Sequence, residues 1–155
     1  MGVVLLVLGY DMNILTAIDD VLGKWRKDGV DLLPPSEEAE VIVTLNKIGR
    51  QYSYDVIALY CATGGMKENE SDSRMWSLWS LEQVVPEISN YERPYILFAD
   101  FLIHSHLYCF RYENDERSSV CIDYFNGEEP ERIADSVSEF FELYLKSPER
   151  LGMFE

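Results

Sequence analysis

Cationic side chains are scarce in this chain: 13 Lys and Arg stand against 28 Asp and Glu, a formal net charge of −15 at pH 7. Nucleic acid and anionic membrane surfaces repel such a charge, so neither is an expected partner. Cysteine is sparse too. Cys61, Cys109 and Cys121 are odd in number and lack metal-ligand spacing, which argues against a disulfide framework and for a reducing, cytoplasmic setting. No apolar run reaches the roughly 20 residues of a membrane span. The opening MGVVLLVLGY lacks a basic leading segment and a small-residue cleavage site, which argues against a signal peptide; residues 3–8 read as a buried strand or helix. Catalytic signatures are missing as well. There is no G-x-S-x-G, no glycine-rich phosphate loop and no G-x-G-x-x-G, and no internal repeat or low-complexity linker.

What is present suffices for one domain over residues 1–155. A chain of this length buries roughly 68–70% of its unfolded surface, and 47% of its residues are apolar, which excludes wholesale disorder. Apolar residues Ile14, Leu15, Ile18, Val21, Leu22 and Trp25 recur at spacings of three and four and predict a helix over about residues 12–27. Asp11 is placed to cap it, Lys24, Arg26 and Lys27 suit its last turn, and Gly29 can end it. Pro34 and Pro35 break the chain, and Ser36 is the predicted N-cap of a second helix carrying Val41, Ile42, Leu45 and Ile48. A third helix is predicted over about 54–62. The polar loop 67–74 follows, then a strand over 75–79, a single short turn over 81–85 ended by Pro86, and a strand over 95–103 that is apolar on both faces. Strands over 106–112 and 118–124 read as a hairpin, whose symmetric register sets Cys109 opposite Cys121, Tyr108 opposite Ile122 and Phe110 opposite Val120. Residues 126–131 read as a turn. Ser136-Val137-Ser138-Glu139 has capping-box spacing and opens a last helix that buries Val137, Phe140, Phe141, Tyr144 and Leu145. The order predicts an α+β fold: a mostly antiparallel sheet of about four to six strands packed with N-terminal helices and a C-terminal helix.

The succession Leu33-Pro34, DVIALYCATGG, MWSLWSLEQV, ILFADFLIHSHLYCFR and IADSVSEFFELYL resembles the SUKH superfamily, the domains related to the Smi/Knr-type regulator of fungal cell-wall synthesis. Its most specific pieces are Phe98 to Ile103, then Ser105, Tyr108 and Arg111, and Ala134-Asp135-Ser136 leading into Phe140. The match spans about residues 30–146. Ser53 stands where the family often has proline, and Thr63-Gly64-Gly65 where it usually has Asn-Gly. The resemblance implies a non-enzymatic protein-binding module without a cofactor. Above all it implies an immunity protein neutralising a polymorphic or contact-dependent toxin, with a regulatory or scaffolding interaction protein as the alternative. A small ligand-binding domain or enzyme with an unrecognised pocket is the reading from another class. No binding residue transfers by position.

Few side chains compete for chemistry. His104 and His106 form an H-x-H pair which, on a strand, shares a face with Asp100, but a metal site needs a further ligand and a turn at Ser105 breaks the parity; the expectation is no metal. The three cysteines lie in apolar elements and read as inert thiols. Trp76 and Trp79 have opposite parity, so one is expected in the core and the other at the rim. Tyr52, Tyr54, Tyr91 and Tyr95 are candidate interface tyrosines. Charge placement is the main functional hint: Glu113 to Glu142 holds ten acidic residues against Arg117 and Arg132. Glu113, Asp115, Glu116, Glu128, Glu129 and Glu131 are the expected partner-binding carboxylates, on two loops, meeting a basic protein such as a toxin domain. Exposed strand edges are compatible with a homodimer without requiring one.

Overall fold

The computed structural model describes residues 12–153. Asp11 and residues 3–8, for which a cap and a buried element are expected, lie outside the described residues. Helix α1, Met12–Lys27, buries the predicted Ile14, Ile18, Val21, Leu22 and Trp25, leaves Leu15 half-buried, and carries its three cations in the last turn, where they favour the helix dipole. Helix α2, Glu38–Ile48, buries Val41 and Leu45 and ends on Gly49 at φ 76°, a left-handed position that glycine takes without penalty. Its N-cap is Glu37 rather than Ser36, and no side chain caps it. The amide of Ser36 instead donates to the carbonyl of Tyr60 at 3.5 Å, tying the Pro34-Pro35 segment to the neighbouring helix. Helix α3, Tyr54–Ala62, is buried almost all round.

The strands β1 (Trp76–Leu78), β2 (Ile96–Phe101), β3 (His106–Tyr112), β4 (Ser118–Asp123) and β5 (Glu131–Ala134) form one antiparallel sheet in that spatial order. The β3–β4 register is the predicted one, with Cys109 facing Cys121, Tyr108 facing Ile122 and Phe110 facing Val120. Strand β5 begins inside the segment read as a turn; its short, exposed start, Glu131 and Arg132, hides it from a hydrophobic pattern. Helix α4, Leu81–Ile88, runs past Pro86 where one short turn was expected. Ser80 caps it, its Oγ accepting from the Gln83 amide at 3.2 Å, and the buried Val84 and Ile88 hold it down on either side of the proline. Helix α5, Val137–Lys146, opens on the predicted box: Ser136 Oγ accepts from Glu139 N at 3.0 Å while Glu139 reaches back to the amide of Asp135. A 3-10 turn, Pro148–Leu151, follows it.

Both faces of the sheet are covered, which explains why β2 is buried along its whole length. On one face Trp25 of α1 stacks on Trp76 at 5.9 Å, and Phe140 of α5 meets Phe98 and Tyr108 edge-on. A bulge between Leu97 and Ala99 adds Phe98 to this cluster, where its ring stacks on Phe110 at 3.8 Å. Truncating such a buried aromatic to Ala typically costs about 3–5 kcal/mol. On the other face Tyr91, in the α4–β2 connection, crosses to Asp123 of β4 at 2.7 Å.

The loop 67–75 is not simply solvated. Its Asp72 is buried, accepts from the amides of Arg74 and Trp76, and takes the hydroxyl proton of Tyr144, which in turn accepts from Trp25 Nε1 at 2.8 Å. Burial raises the Asp72 carboxyl above its usual range. Trp76 and Trp79 are both fully buried, against the expectation of one at the rim. The strand ends at Leu78, so alternation no longer governs Trp79; its indole turns to donate to Asp100 at 2.8 Å, under the ring of His104.

Candidate functional site

Five of the six predicted carboxylates fall on the two turns at opposite ends of β4, and Glu131 opens β5. They do not form one patch of equivalent groups. Glu113 is half-buried and already satisfied: it accepts from Ser119 Oγ at 2.7 Å and pairs with Arg111 at 2.9 Å, contacts that hold its carboxyl below the usual range. Asp115 accepts from the hydroxyl of Tyr112. Glu129 pairs with Arg93 and accepts from Tyr95 Oη at 3.1 Å. Asp115, Glu116, Glu128 and Glu131 are exposed and make no ion pair with another described residue.

The backbone of the first of these turns has a separate duty. The carbonyls of Asp115 and Glu116 accept from the amides of Tyr54 and Asp55, at 2.7 and 3.2 Å, and so satisfy the opening donors of α3. Asp55 completes the joint. Its carboxylate takes the Ser118 amide at 3.2 Å and the Ser53 hydroxyl, and Ser53 Oγ lies 2.6 Å from Ser118 Oγ. Burial lifts Asp55 from its ordinary 3.8 to about 6, against the pull of these hydrogen bonds. Asp100 and Asp123 are used in the same way: Asp100 holds Trp79 and the amide of His104, and Asp123 holds Tyr91 and the amide of Phe125. All four buried aspartates therefore fasten turns.

The two histidines do not converge. Leu102, Ile103 and His104 all have left-handed backbone, φ 52°, 53° and 66°, which breaks strand parity after β2. His104 stands exposed beside Asp100 and Glu87, whereas His106 is buried with Nε2 3.1 Å from the Gly152 carbonyl, and burial pulls its pKa down. Among the described residues no three His, Cys, Asp or Glu side chains converge as a metal-ligand set. The Cys109 thiol, enclosed and hydrogen-bonded to Cys121, is pushed well up and so is a poor nucleophile. Of the four tyrosines, Tyr91 is buried on Asp123, Tyr52 and Tyr95 are half-buried, and only Tyr54 is exposed.

The turn expected at Ser105 begins earlier than the sequence suggests, directly after Phe101. The expected strand 95–103 ends at Phe101, and the next residues display apolar side chains to solvent: Leu102 is 47% exposed, Ile103 78% and Met75, on the adjoining loop, 41%. Met75 is itself at φ 70°, and its carbonyl accepts from the Leu102 amide at 3.0 Å. Apolar residues unmarked by Gly, Pro or Asn carry no turn signal, so only the lack of a strand partner could have revealed them. Beside this tip lies a cleft of about 270 Å³ bordered by Glu70, Ser77, Gln83, Asp100, Ile103 and His104. A second groove of about 450 Å³ runs between the Leu33–Ser36 segment, α2 and the start of α4. Among the described residues no helix is long and apolar enough to cross a membrane. Compared with known proteins, the chain matches no family model and no curated sequence.

Proposed function

We propose that this protein is a non-enzymatic binding module of the SUKH type, acting as an immunity protein that holds a basic toxin domain and blocks its site or its movement. The observation that carries this reading is the placement of charge: the exterior turns and the start of β5 hold the unpaired carboxylates Asp115, Glu116, Glu128 and Glu131, while the buried carboxylates are spent on fastening the fold. Exposed acidic groups raise the rate of encounter with a cationic partner, and this steering falls with salt. The α+β arrangement of leading helices, antiparallel meander and closing helix is the one that the order of elements in the sequence predicts.

The test is association kinetics with the partner that co-purifies from the native cell and is identified by mass spectrometry. Replacing Asp115, Glu116 and Glu128 together with Lys reverses three exposed charges and leaves every buried hydrogen bond in place. The expected result is an association rate lower by about tenfold or more at low salt, converging on the wild-type rate as salt is raised, with an unchanged melting transition. Binding indistinguishable from wild type at every salt concentration refutes the acidic surface.

A further inference from the structure

The exposed apolar tip at the β2–β3 turn is built at a cost to the fold. Three consecutive residues, Leu102, Ile103 and His104, occupy left-handed backbone, and a β-branched residue such as Ile103 is among the least suited to it. The turn is nonetheless fixed: the His104 amide donates to Asp100 at 2.9 Å, the Ser105 amide to Phe101 at 3.0 Å and the Leu102 amide to Met75 at 3.0 Å. The result is a rigid arrangement of Leu102, Ile103 and Met75 facing water. Their apolar surface contributes nothing to folding while it stays exposed, and such surface gains free energy only when a partner covers it.

We propose that this tip is a docking point for a partner protein that offers an apolar pocket with a Lys or Arg side chain beside it. The proposal rests on the binding-module reading but assigns a surface separate from the acidic turns. Charge selects among the occupants. The tip is flanked by Glu70 in the cleft and by Glu87 across His104, and the cations of the adjoining loop are Lys67, turned toward Asp31, and the half-buried Arg74. A second copy of this chain brings the same acidic rim and a net charge of −15, so it is repelled. An anionic membrane is repelled for the same reason. A cationic protein surface is attracted, and its apolar pocket takes Ile103 as the anchor.

The test uses the full-length protein with 15N label and three synthetic peptides of equal length: alternating Lys and Leu, alternating Lys and Ser, and alternating Glu and Leu. The Lys/Leu peptide should shift the amides of residues 69–77 and 100–105, and the Lys/Ser peptide only those of the acidic turns 113–117 and 126–131. The variants Ile103→Asn and Ile103→Gly should weaken the Lys/Leu interaction at the tip about tenfold. Because Asn and Gly accept left-handed backbone, both should melt about 2–4 °C higher than wild type. Lys/Leu shifts confined to the acidic turns overturn the tip and leave the acidic surface standing, and silence with every peptide overturns both. Equal response to the Glu/Leu peptide removes the cation from the proposal. Concentration-dependent dimers, or binding to phosphatidylserine vesicles, that Ile103→Asn abolishes would show the assigned occupant to be wrong.

Discussion

Two neighbouring turns of the same meander were built on opposite plans. The β3–β4 turn is polar throughout, has no residue at positive φ, and is closed by Asn114 Oδ1, which accepts from the amides of Glu116 and Arg117 at 2.9 and 3.0 Å. It is also a structural part, since its carbonyls cap α3. The β2–β3 turn exposes the apolar Leu102 and Ile103 at its tip and is left-handed over Leu102, Ile103 and His104. One turn uses charged residues in a relaxed backbone to support the fold; the other uses apolar residues in a costly backbone that the fold must support. Exposed residue type alone therefore misleads about which turn is architectural. The backbone hydrogen bonds decide it.

The comparison breaks most deeply at Asp100. Asp100→Ala leaves the buried Trp79 indole N–H and the His104 amide without their acceptor, and the expected loss is about 3–4 kcal/mol, seen as a lower urea midpoint and new exchange at the amides of residues 102–105. Loss below about 1 kcal/mol would mean that the apolar turn holds its shape unaided. Next comes pH at the joint under the polar turn. Asp55 rises from 3.8 to about 6 on folding, so its folded form binds the proton more tightly. Its stabilising contribution is fully present below about 3.8 and is lost as pH rises through about 6, amounting to about 3 kcal/mol. Chemical denaturation from pH 4 to 7 should show this slope superimposed on the other titrations, and Asp55→Asn should remove it. An unaltered slope in that variant assigns the proton elsewhere. The smallest effect belongs to Glu113→Gln, which gives up the half-exposed pair with Arg111 and should cost less than about 1 kcal/mol; a larger loss in thermal denaturation would make this acidic side chain architectural as well.

Much of the fold was legible because hydrophobic period and turn chemistry agreed. The stripe of α1, the capping box at Ser136 and the Cys109–Cys121 register each follow from residues that pack where they are written. What escaped has a common cause, namely partners distant in the chain. Pro86 is carried within α4 by the burial of Val84 and Ile88. Trp79 is buried by an aspartate 21 residues away, and Asp72 by a tyrosine 72 residues away. Ser53, a departure from the resembling family, finds its use against Ser118 in β4. For the candidate site, the acidic residue types were legible, but Glu113 and Glu129 cannot be told from their exposed neighbours until Arg111 and Arg93 are in place.

The chain Trp25–Tyr144–Asp72 has a consequence for synthesis. The indole and the phenol that it joins are separated by 119 residues, and Tyr108 likewise waits for the carbonyl of Leu151, 43 residues further on. A ribosome that has released only the leading helices and the meander holds a polypeptide whose central aromatic stack lacks α5 and whose Asp72 lacks the hydroxyl that satisfies it. Closure of the interior is thus reserved for α5 and the turn that follows it, and this domain cannot reach its native state until residues 137–151 have left the ribosome.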